Sequence, residues 1–484
     1  MKNVTRRNFL TGSIAAGISL AAWQRAHGAN EDIRIAVVGT GGRGGAHIDG
    51  YAGEKQKISG VRLVALCDVD SAHVDEHAAK LDKRGIKVEK YTDYRKLLDN
   101  KDIDAISIAT PNHQHSLQAI WAMQAGKDVY CEKPVSHNVW EGRKVVEAQT
   151  ISGKICAAGT QSRSNPGLIE AVKYIQDGKL GKIQYARGLC YKRRASIGKV
   201  EGPQMPPKTV DYEQWCGPAG HLPLTRKKLH YDWHWVWETG NGDLGNQGIH
   251  QMDIARWVLG EDKISPRVFA IGGRFGYVDD GTTPNSMFAI HDYAAAPLIF
   301  EVRGLPGKPA AEGEKEEMDN LKGASIGVIV QCEHGYMVIP SYDSAIVYDA
   351  DGKEIQKFKE GGNHFKNFIE AVKNRTQNSL HAPILEGHIS SALCHTANIS
   401  YRLGMACTQD TIREKLKGNA LAQETFESLN MHLKTNLVDL ATTKAMFGEY
   451  VTMDPVAETI SGNPEATKLL KREYHAPYTI PDKF

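Results

Sequence analysis

The run GTGGRG at positions 39–44 places four glycines between an apolar stretch, IRIAVV, and a predicted helix. Gly39 would allow a tight turn, Gly41 a close approach of the backbone to a pyrophosphate, and Gly44 close packing of the helix on the strand. The positive end of the helix dipole would then face the phosphates. We therefore expect a dinucleotide cradle, which includes Gly42 and Arg43. The alternative is an ordinary packing turn.

Asp68 ends the second apolar run, VRLVALC. At this place in a nucleotide-binding unit, a carboxylate accepts hydrogen bonds from the adenosine ribose hydroxyls. Its charge would also repel a 2′-phosphate, so the sequence predicts NAD, with NADP disfavoured. Without a nucleotide, Asp68 would be a solvated acid.

Lys133 follows another apolar run, DVYC, where parallel strands of α/β sheets bind ligands at their carboxyl ends. An ammonium group there can stabilise the alkoxide that develops as a hydride leaves an alcohol carbon. We predict Lys133 to be catalytic. The alternative is a surface lysine before a proline turn.

His250 lies in the polar, glycine-rich stretch 240–253. A neutral imidazole near a substrate hydroxyl can accept its proton, and we assign this role to His250. Asp253 lies three residues further on, on a neighbouring face of the predicted helix. A core histidine bonded to Asp253 is therefore the alternative.

Residues 230–238 alternate aromatic and polar side chains. On a strand this would put four aromatic side chains on one face, those of Tyr231, Trp233, Trp235 and Trp237. Such a face suits sugar rings, although core or subunit packing would explain it equally well. Possible metal ligands are also present, at His230, His234, Glu238 and His250. Their spacing is not diagnostic, and we predict no metal.

The pattern around these residues predicts an α/β protein with two main domains. Short apolar runs alternate with helical stretches up to residue 160, which indicates a doubly wound parallel sheet over residues 30–160. Longer amphipathic runs in residues 161–407 predict an α+β domain with a large, mainly antiparallel sheet. Residues 408–484 would form a C-terminal extension, and a helix from His364 would return to the first domain.

Two further motifs follow the glycine turn along the chain. Residues 109–115, ATPNHQH, and residues 131–134, CEKP, follow the fourth and fifth predicted strands. In this order the three motifs resemble the Gfo/Idh/MocA family (glucose-fructose oxidoreductase and inositol dehydrogenase) over residues 33–404. The resemblance implies an NAD(P)-dependent oxidoreductase. Thr110, Asn112 and His115 would line the nicotinamide half of the cofactor, Glu132 would hold the ribose, and Lys133 would point at the substrate hydroxyl.

The same resemblance covers a second motif, Asp-x-Gly-x-His, with one departure. His250 keeps the histidine position, but Asn246 replaces the aspartate, which puts a His–Asp pair there in doubt. Asp243 or Glu238 could substitute. We expect the substrate to be contacted by Gln161, Arg163, His234, Asp243 and Asn246, the first two at a family position beside the cofactor where surface polarity is the alternative.

Composition and the first residues indicate the kind of partner and the cellular location of the protein. The 484 residues carry 59 basic and 57 acidic side chains with no basic block, which argues against a nucleic-acid partner. The eight cysteines are scattered without a disulfide spacing. Residues 5–10, TRRNFL, followed by a short apolar run and small residues, predict a twin-arginine signal peptide over residues 1–29. The protein would be exported folded to the periplasm, carrying its cofactor, with no membrane anchor after cleavage.

We therefore expect an oxidoreductase acting on a sugar, polyol or glycoside. A redox-neutral, NAD-dependent glycoside hydrolase is the main alternative, because it needs no external cofactor pool. A non-catalytic sugar or NAD sensor would need neither Lys133 nor His250. From the resemblance we expect a homodimer or homotetramer that forms through the C-terminal sheet.

Overall fold

The computed structural model describes residues 32–53, 58–309 and 315–484. The twin-arginine prediction lies on residues outside these ranges. No helix within the described ranges is both long and apolar enough to cross a membrane. All eight cysteines lie in these ranges, where they are buried and free of disulfides.

The first domain contains the predicted parallel sheet, which has six strands in the order β3-β2-β1-β4-β5-β6. Its strands are β1 Ile33–Val38, β2 Val61–Cys67, β3 Glu89–Tyr91, β4 Ala105–Ile108, β5 Asp128–Cys131 and β6 Cys156–Ala158. Its helices are α1 Arg43–Ala52, α2 Ser71–Asp82, α3 Tyr94–Asp99, α4 Asn112–Gln124 and α5 Val139–Ser152. The central strands β4 and β5 are buried along their whole length, as helices on both faces require.

The second domain is built on a twelve-stranded mixed sheet, and every strand pair except β7–β10 is antiparallel. Its main path runs β14-β13-β12-β11-β7-β10-β9-β8-β16-β15, and β17 joins β8 to β18. The strands are β7 Ile183–Tyr191, β8 Arg267–Gly273, β9 Ser286–His291, β10 Leu298–Arg303, β11 Ile326–Cys332, β12 Gly335–Ile339, β13 Ser344–Asp349, β14 Glu354–Lys359, β15 Met405–Cys407, β16 Ala445–Phe447, β17 Val451–Asp454 and β18 Thr459–Ile460. The fold class expected from the sequence is confirmed.

Helices cover both faces of this large sheet. The remaining helices are α6 Pro166–Gln176, α7 Tyr212–Cys216, α8 Gly242–Asn246, α9 Gly248–Leu259, α10 His364–Asn374, α11 Ile384–Arg402, α12 Gln409–Lys415, α13 Ala420–Thr435 and α14 Pro464–Lys468. Apolar residues of α9 and α11 pack on one face and form the main core. On the other face Phe426 and Leu433 of α13 pack against Phe269 and Phe288. The chain's own extension thus covers part of the face where we expected a second subunit, and the oligomer stays a prediction.

Later segments complete the first domain. Phe365 and Phe368 of α10 pack against Tyr130, and Phe365 also packs against Tyr51, so this helix does return to the nucleotide domain. Further along the chain, Ile480 joins the cluster on the other side of the same sheet.

The alternating aromatic segment is not a strand, and that prediction is wrong. Residues Asp232–Trp235 form a single 3-10 turn, entered through Tyr231 at a positive φ of 78°. Trp235 is buried, whereas Trp237 packs beside Tyr401 and Arg402. Some of its backbone bonds are local, from His234 to Tyr231 and from Gly240 to Val236, whereas the Trp235 carbonyl accepts from the amides of Thr282 and Thr283, which lie outside the strands of the sheet.

Candidate active site

A cleft of about 410 Å³ opens at the carboxyl ends of the strands of the first domain. It is closed on its other side by a stretch of the second domain, residues 209–234, which we call the covering segment. The cleft brings together ten of the residues expected to bind the cofactor, namely Gly39, Gly41, Gly42, Arg43, Asp68, Thr110, Asn112, His115, Glu132 and Lys133. Its position at the strand ends is where open α/β sheets bind ligands.

The glycine turn leaves no room for side chains at two positions. A Cβ atom on Gly39, which has φ +80°, would lie 2.6 Å from the Thr110 amide nitrogen, and one on Gly44 would lie 1.8 Å from the Gly39 carbonyl oxygen. Gly44 therefore lies beneath the turn and does not line the cleft. A Cβ on Gly41 would meet the His73 ring at 2.9 Å. The turn has the close-packed backbone that a pyrophosphate cradle requires.

Asp68 presents a charged carboxylate to the cleft. It accepts hydrogen bonds from the Thr40 amide at 2.7 Å and the Asp70 amide at 3.0 Å. Burial raises the pKa of this carboxyl, but hydrogen bonds from His73 and from these two amides outweigh burial and hold the pKa below its usual range. The position and charge suit a pair of ribose hydroxyls.

Glu132 is held by three groups. Arg43 donates from Nε to Oε1 at 2.6 Å, His47 Nε2 lies 3.1 Å from the same oxygen, and the Lys133 amide donates to Oε2 at 3.0 Å. Burial raises the pKa of Glu132, but the Arg43 charge and the His47 hydrogen bond hold it well below its ordinary value. His47 also contacts Ser107 Oγ at 2.8 Å.

His47, which is fully buried beside Glu132, belongs to none of the motifs found in the sequence. Its burial lowers the pKa of the imidazole, so the ring is neutral near pH 7. The signal that could have found it is the spacing of four residues from Arg43, which puts both side chains on one face of α1.

Three residues of the ATPNHQH motif tie adjacent loops together. His115 has its two ring nitrogens 2.6 Å from the Pro134 carbonyl oxygen and 2.7 Å from that of Thr110. Thr110 Oγ1 donates to Gln118, and Asn112 Nδ2 donates to Asn241 Oδ1 at 3.1 Å. The motif thereby fixes the wall between Asp68 and Lys133.

Lys133 points from the end of β5 towards the second domain. Its Nζ donates to the Asn246 carbonyl oxygen at 2.9 Å. Burial lowers the pKa of this ammonium, opposed by the charge of Glu132. A partly desolvated ammonium beside a cleft is well placed to stabilise a developing negative charge.

His250 lies near Lys133 but is buried, only 7% exposed, and is not part of the cleft wall itself. Burial, followed by the charge of Lys133, holds the pKa of the imidazole well below 6.5, so the ring is neutral at pH 7. Its ring packs edge-on to Tyr342 at 5.0 Å, and Nδ1 has no hydrogen-bond partner among the described residues. A neutral imidazole with a free nitrogen can accept a proton.

Asp253 does not hold His250, contrary to the alternative considered above. Its carboxylate accepts from Arg163 Nε at 2.9 Å and from Ser390 Oγ at 2.7 Å. Arg163 is buried, also pairs with Glu386 at 3.0 Å, and does not reach the cleft. Gln161 and Arg163 were both expected beside the cofactor, but only Gln161 contacts a residue of the cleft, where its Oε1 accepts from Arg43 Nη2 at 2.9 Å.

Asp243 and Asn246 have different surroundings. The buried Asp243 carboxylate pairs with Nε and Nη2 of Arg194, both at 2.7 Å, so its charge is used within the protein. Asn246 lines the cleft, and its Nδ2 lies 3.5 Å from Asp243 Oδ1. An aspartate at position 246 would therefore place two carboxylates side by side.

His234 lies in the cleft wall on the covering segment. Its ring stacks on Trp233 with 3.6 Å between centroids, and Nδ1 contacts the Tyr231 carbonyl oxygen. Burial lowers its pKa to about 3. Trp215, Tyr231 and Trp233 complete this wall. Tyr231 and Trp233 belong to the aromatic set that the sequence offered as a sugar-binding face, whereas Trp215 belongs to no motif.

The four possible metal ligands named above do not meet. Glu238 is exposed and faces a separate cavity of about 290 Å³, while His250 and His234 lie near Lys133. His230 instead contacts Asp70 of the first domain, with Nε2 2.9 Å from Oδ2.

Comparisons with known proteins agree with this geometry. Residues 33–160 match the family model described as "Oxidoreductase family, NAD-binding Rossmann fold", and residues 173–281 match "Oxidoreductase family, C-terminal alpha/beta domain".

Inositol 2-dehydrogenase of Salmonella paratyphi B is 29% identical over 238 residues, 49% of this chain and 57% of the relative. Levoglucosan dehydrogenase of Pseudarthrobacter phenanthrenivorans is 27% identical over 234 residues, 48% of this chain and 52% of the relative. The chain spans little more than half the length of these curated relatives.

A solved structure shows the same fold over most of the chain. The WlbA dehydrogenase from Bordetella pertussis, in complex with NADH and UDP-GlcNAcA, is 20% identical with a TM-score of 0.53, and the match covers 75% of this chain and 94% of that one. The two family matches follow each other along the chain in the order of the two observed domains. Residues 33–160 thus match the NAD-binding Rossmann domain of these oxidoreductases and residues 173–281 match their C-terminal domain, so the chain is similar to the Gfo/Idh/MocA family over these two segments.

Proposed function

We propose that this protein transfers a hydride between a hydroxyl-bearing carbon of a sugar, polyol or glycoside and a tightly held NAD. The observation that carries the proposal is the position of the Lys133 ammonium, at a strand end in a cleft that also contains the glycine turn and Asp68. The relatives reported above are named as dehydrogenases of inositol and levoglucosan, which supports a polyol or sugar substrate.

The residues present fit a dinucleotide. A Cβ atom at Gly39 or Gly44 would clash with the backbone that shapes the cradle, and a charged Asp68 lies beyond it. The turn would hold the pyrophosphate, Asp68 the adenosine ribose, and Glu132 with the ATPNHQH motif the nicotinamide half. When bound, NAD⁺ accepts the hydride from the alcohol carbon.

The chain's own residues would handle the proton and the charge. Lys133 would stabilise the alkoxide oxygen as the O–H bond breaks, and the neutral His250 imidazole beside it would accept the proton. Asn246 and His234 offer hydrogen bonds to further hydroxyls from the opposite wall of the cleft. Arg163 and Asp243 are bonded within the protein, and we no longer assign them to the substrate.

The other two functions have less support. The relatives carry dehydrogenase names, and nothing in these comparisons favours the glycoside hydrolase. A sensor would not need a desolvated ammonium beside a neutral imidazole, as Lys133 and His250 provide.

The test begins with the nucleotide that the purified protein retains, which should be NAD(H); recovery of NADP alone would contradict the role of Asp68. Incubation with inositol, levoglucosan or simple sugars should then produce NADH absorbance. Lys133→Met should abolish this signal, whereas Lys182→Met, a change at an exposed lysine before β7, should not. Phenol release from aryl glycosides without net NADH would favour the hydrolase instead.

We also infer export by the twin-arginine route, which rests on residues 5–10. Replacing Arg6 and Arg7 by lysine should leave folded protein with its nucleotide in the cytoplasm. Unchanged export of this variant would refute the inference. The predicted homodimer or homotetramer is tested by light scattering on the purified protein, and a monomer would refute it.

A further inference from the structure

Three residues that no motif connects meet at the edge of the cleft beside Asp68. Asp70 and His73 belong to the start of α2, and His230 comes from the covering segment. One side-chain oxygen or nitrogen from each lies within 4.8 Å of the other two. The His73 and His230 rings are 4.5 Å apart between centroids.

The geometry points to a binding site for one divalent transition-metal ion of the zinc class, with Asp70, His73 and His230 as its three protein ligands. Two imidazoles and one carboxylate form a donor set that zinc accepts, with a fourth position left for water. Ligand atoms at about 2.1 Å from a tetrahedral ion are about 3.4 Å apart. Asp70 Oδ2 lies 2.9 Å from His230 Nε2 and 3.9 Å from His73 Nε2, so small side-chain movements would bring these atoms to that spacing.

The groups behind the ligands already orient them. Asp68 Oδ2 lies 3.7 Å from His73 Nδ1, which leaves Nε2 of the same ring facing Asp70. Carboxylates commonly fix metal-binding histidines in this way. The Ala72 amide donates to Asp70 Oδ1 at 3.1 Å and leaves Oδ2 for the ion.

The backbone holds the two halves of the site together. The Ser71 amide donates to the Thr209 carbonyl at 3.0 Å, and the Asp211 amide donates to the Val69 carbonyl at 2.9 Å. Asp70 is buried, whereas the His73 and His230 side chains are 27% and 42% exposed, which leaves an entry path and an open coordination position. A bound ion would thus join the covering segment to the nucleotide domain.

The test is a Zn²⁺ titration of the tag-free protein by calorimetry after treatment with a chelator, with and without its nucleotide. One ion per chain should bind in at least one of these two forms, and a Co²⁺-loaded sample should show visible absorption from its ligand field. His230→Ala should weaken binding at least about 100-fold, and His73→Ala similarly. His221→Ala is the matched control, because this exposed histidine of the same segment lies outside the cluster.

Absence of saturable binding in both forms, or equal binding by the wild type and both ligand variants, would overturn the proposal. Circular dichroism of each variant separates ligand loss from misfolding, since His230 is the most exposed of the three ligands. A second readout is the rate of nucleotide release, which saturating Zn²⁺ should slow in the wild type and not in His230→Ala. Equal rates would show that the ion does not hold the segment closed. All these readouts are independent of dehydrogenase activity, so the site stands or falls apart from the proposed reaction.

Discussion

Mild acid should unfold this protein because several histidines are buried in the neutral form. Burial lowers the pKa to about 3 at His113, His234, His291, His364 and His395. An unfolded histidine binds a proton below its ordinary pKa of about 6.5, whereas these five do not while the protein is folded. Below pH 6.5 the unfolded state therefore binds more protons, and the free energy of unfolding falls as the pH falls.

The magnitude follows from the size of these shifts. One pKa unit corresponds to about 1.4 kcal/mol, so each histidine loses about 2 kcal/mol of stability between pH 6.5 and 5.0. Five such groups give a loss of about 10 kcal/mol, which is comparable with the whole stability of an ordinary domain, about 5–15 kcal/mol. Carboxylates with lowered pKa values add their own loss only at lower pH.

The assay is thermal unfolding followed by circular dichroism between pH 8 and 5. His291 isolates the effect, because it is fully buried in β9, burial is the sole cause of its shift, and neither ring nitrogen has a partner among the described residues. His291→Leu or His291→Gln should reduce the pH dependence by about one proton per molecule, whereas His334→Leu, at an exposed turn, should not. A melting temperature that is flat from pH 7 to 5 would refute the reasoning.

Three substitutions test the site itself. His250→Ala should lower kcat by about 10²–10⁴-fold, with a smaller loss at high pH, and near-normal turnover at neutral pH would place the base elsewhere. In the wild type, the acid limb of the kcat/KM profile should lie below pH 6.5, because burial and the Lys133 charge lower the pKa of His250. Asn246→Asp would put a second carboxylate about 3.5 Å from Asp243 and should weaken substrate binding, and an unchanged KM would show that Asn246 does not contact the substrate. Arg163→Met should lower the free energy of unfolding by about 3–5 kcal/mol, because it leaves the buried Asp253 carboxylate without its main partner. KM should not change. A raised KM at unchanged stability would show that Arg163 contacts the substrate.

The sequence predicted those site residues that lie directly after a strand of the first domain. The glycine turn, Asp68 and Lys133 each follow a short apolar run, and strand ends of a parallel sheet meet at one edge. Recognising each strand from its apolar run was therefore enough to predict that these residues line one cleft.

Contacts between distant segments could not be predicted in the same way. His47 meets Glu132, and Tyr342 meets His250, through packing between segments that are far apart in the chain. Arg163 has the side chain of a ligand-binding residue, yet it is bonded to Asp253 and Glu386. The aromatic alternation at residues 231–237 has the period of a strand, but Asp232–Trp235 forms a 3-10 turn whose Trp235 carbonyl accepts from amides of a distant loop.

The packing of α10 and of Ile480 against the first domain has a consequence for the order of folding. Phe365 and Phe368 cover Tyr130 on one side of the nucleotide sheet, and Ile480 belongs to the cluster on the other side. During synthesis the first domain lacks these side chains until nearly the whole chain has left the ribosome, so it cannot complete its core alone. We therefore expect the first domain to complete its core only after these segments have been synthesised. A fragment ending near residue 160 would leave apolar surface on each side of its sheet without these partners, and such a fragment should aggregate.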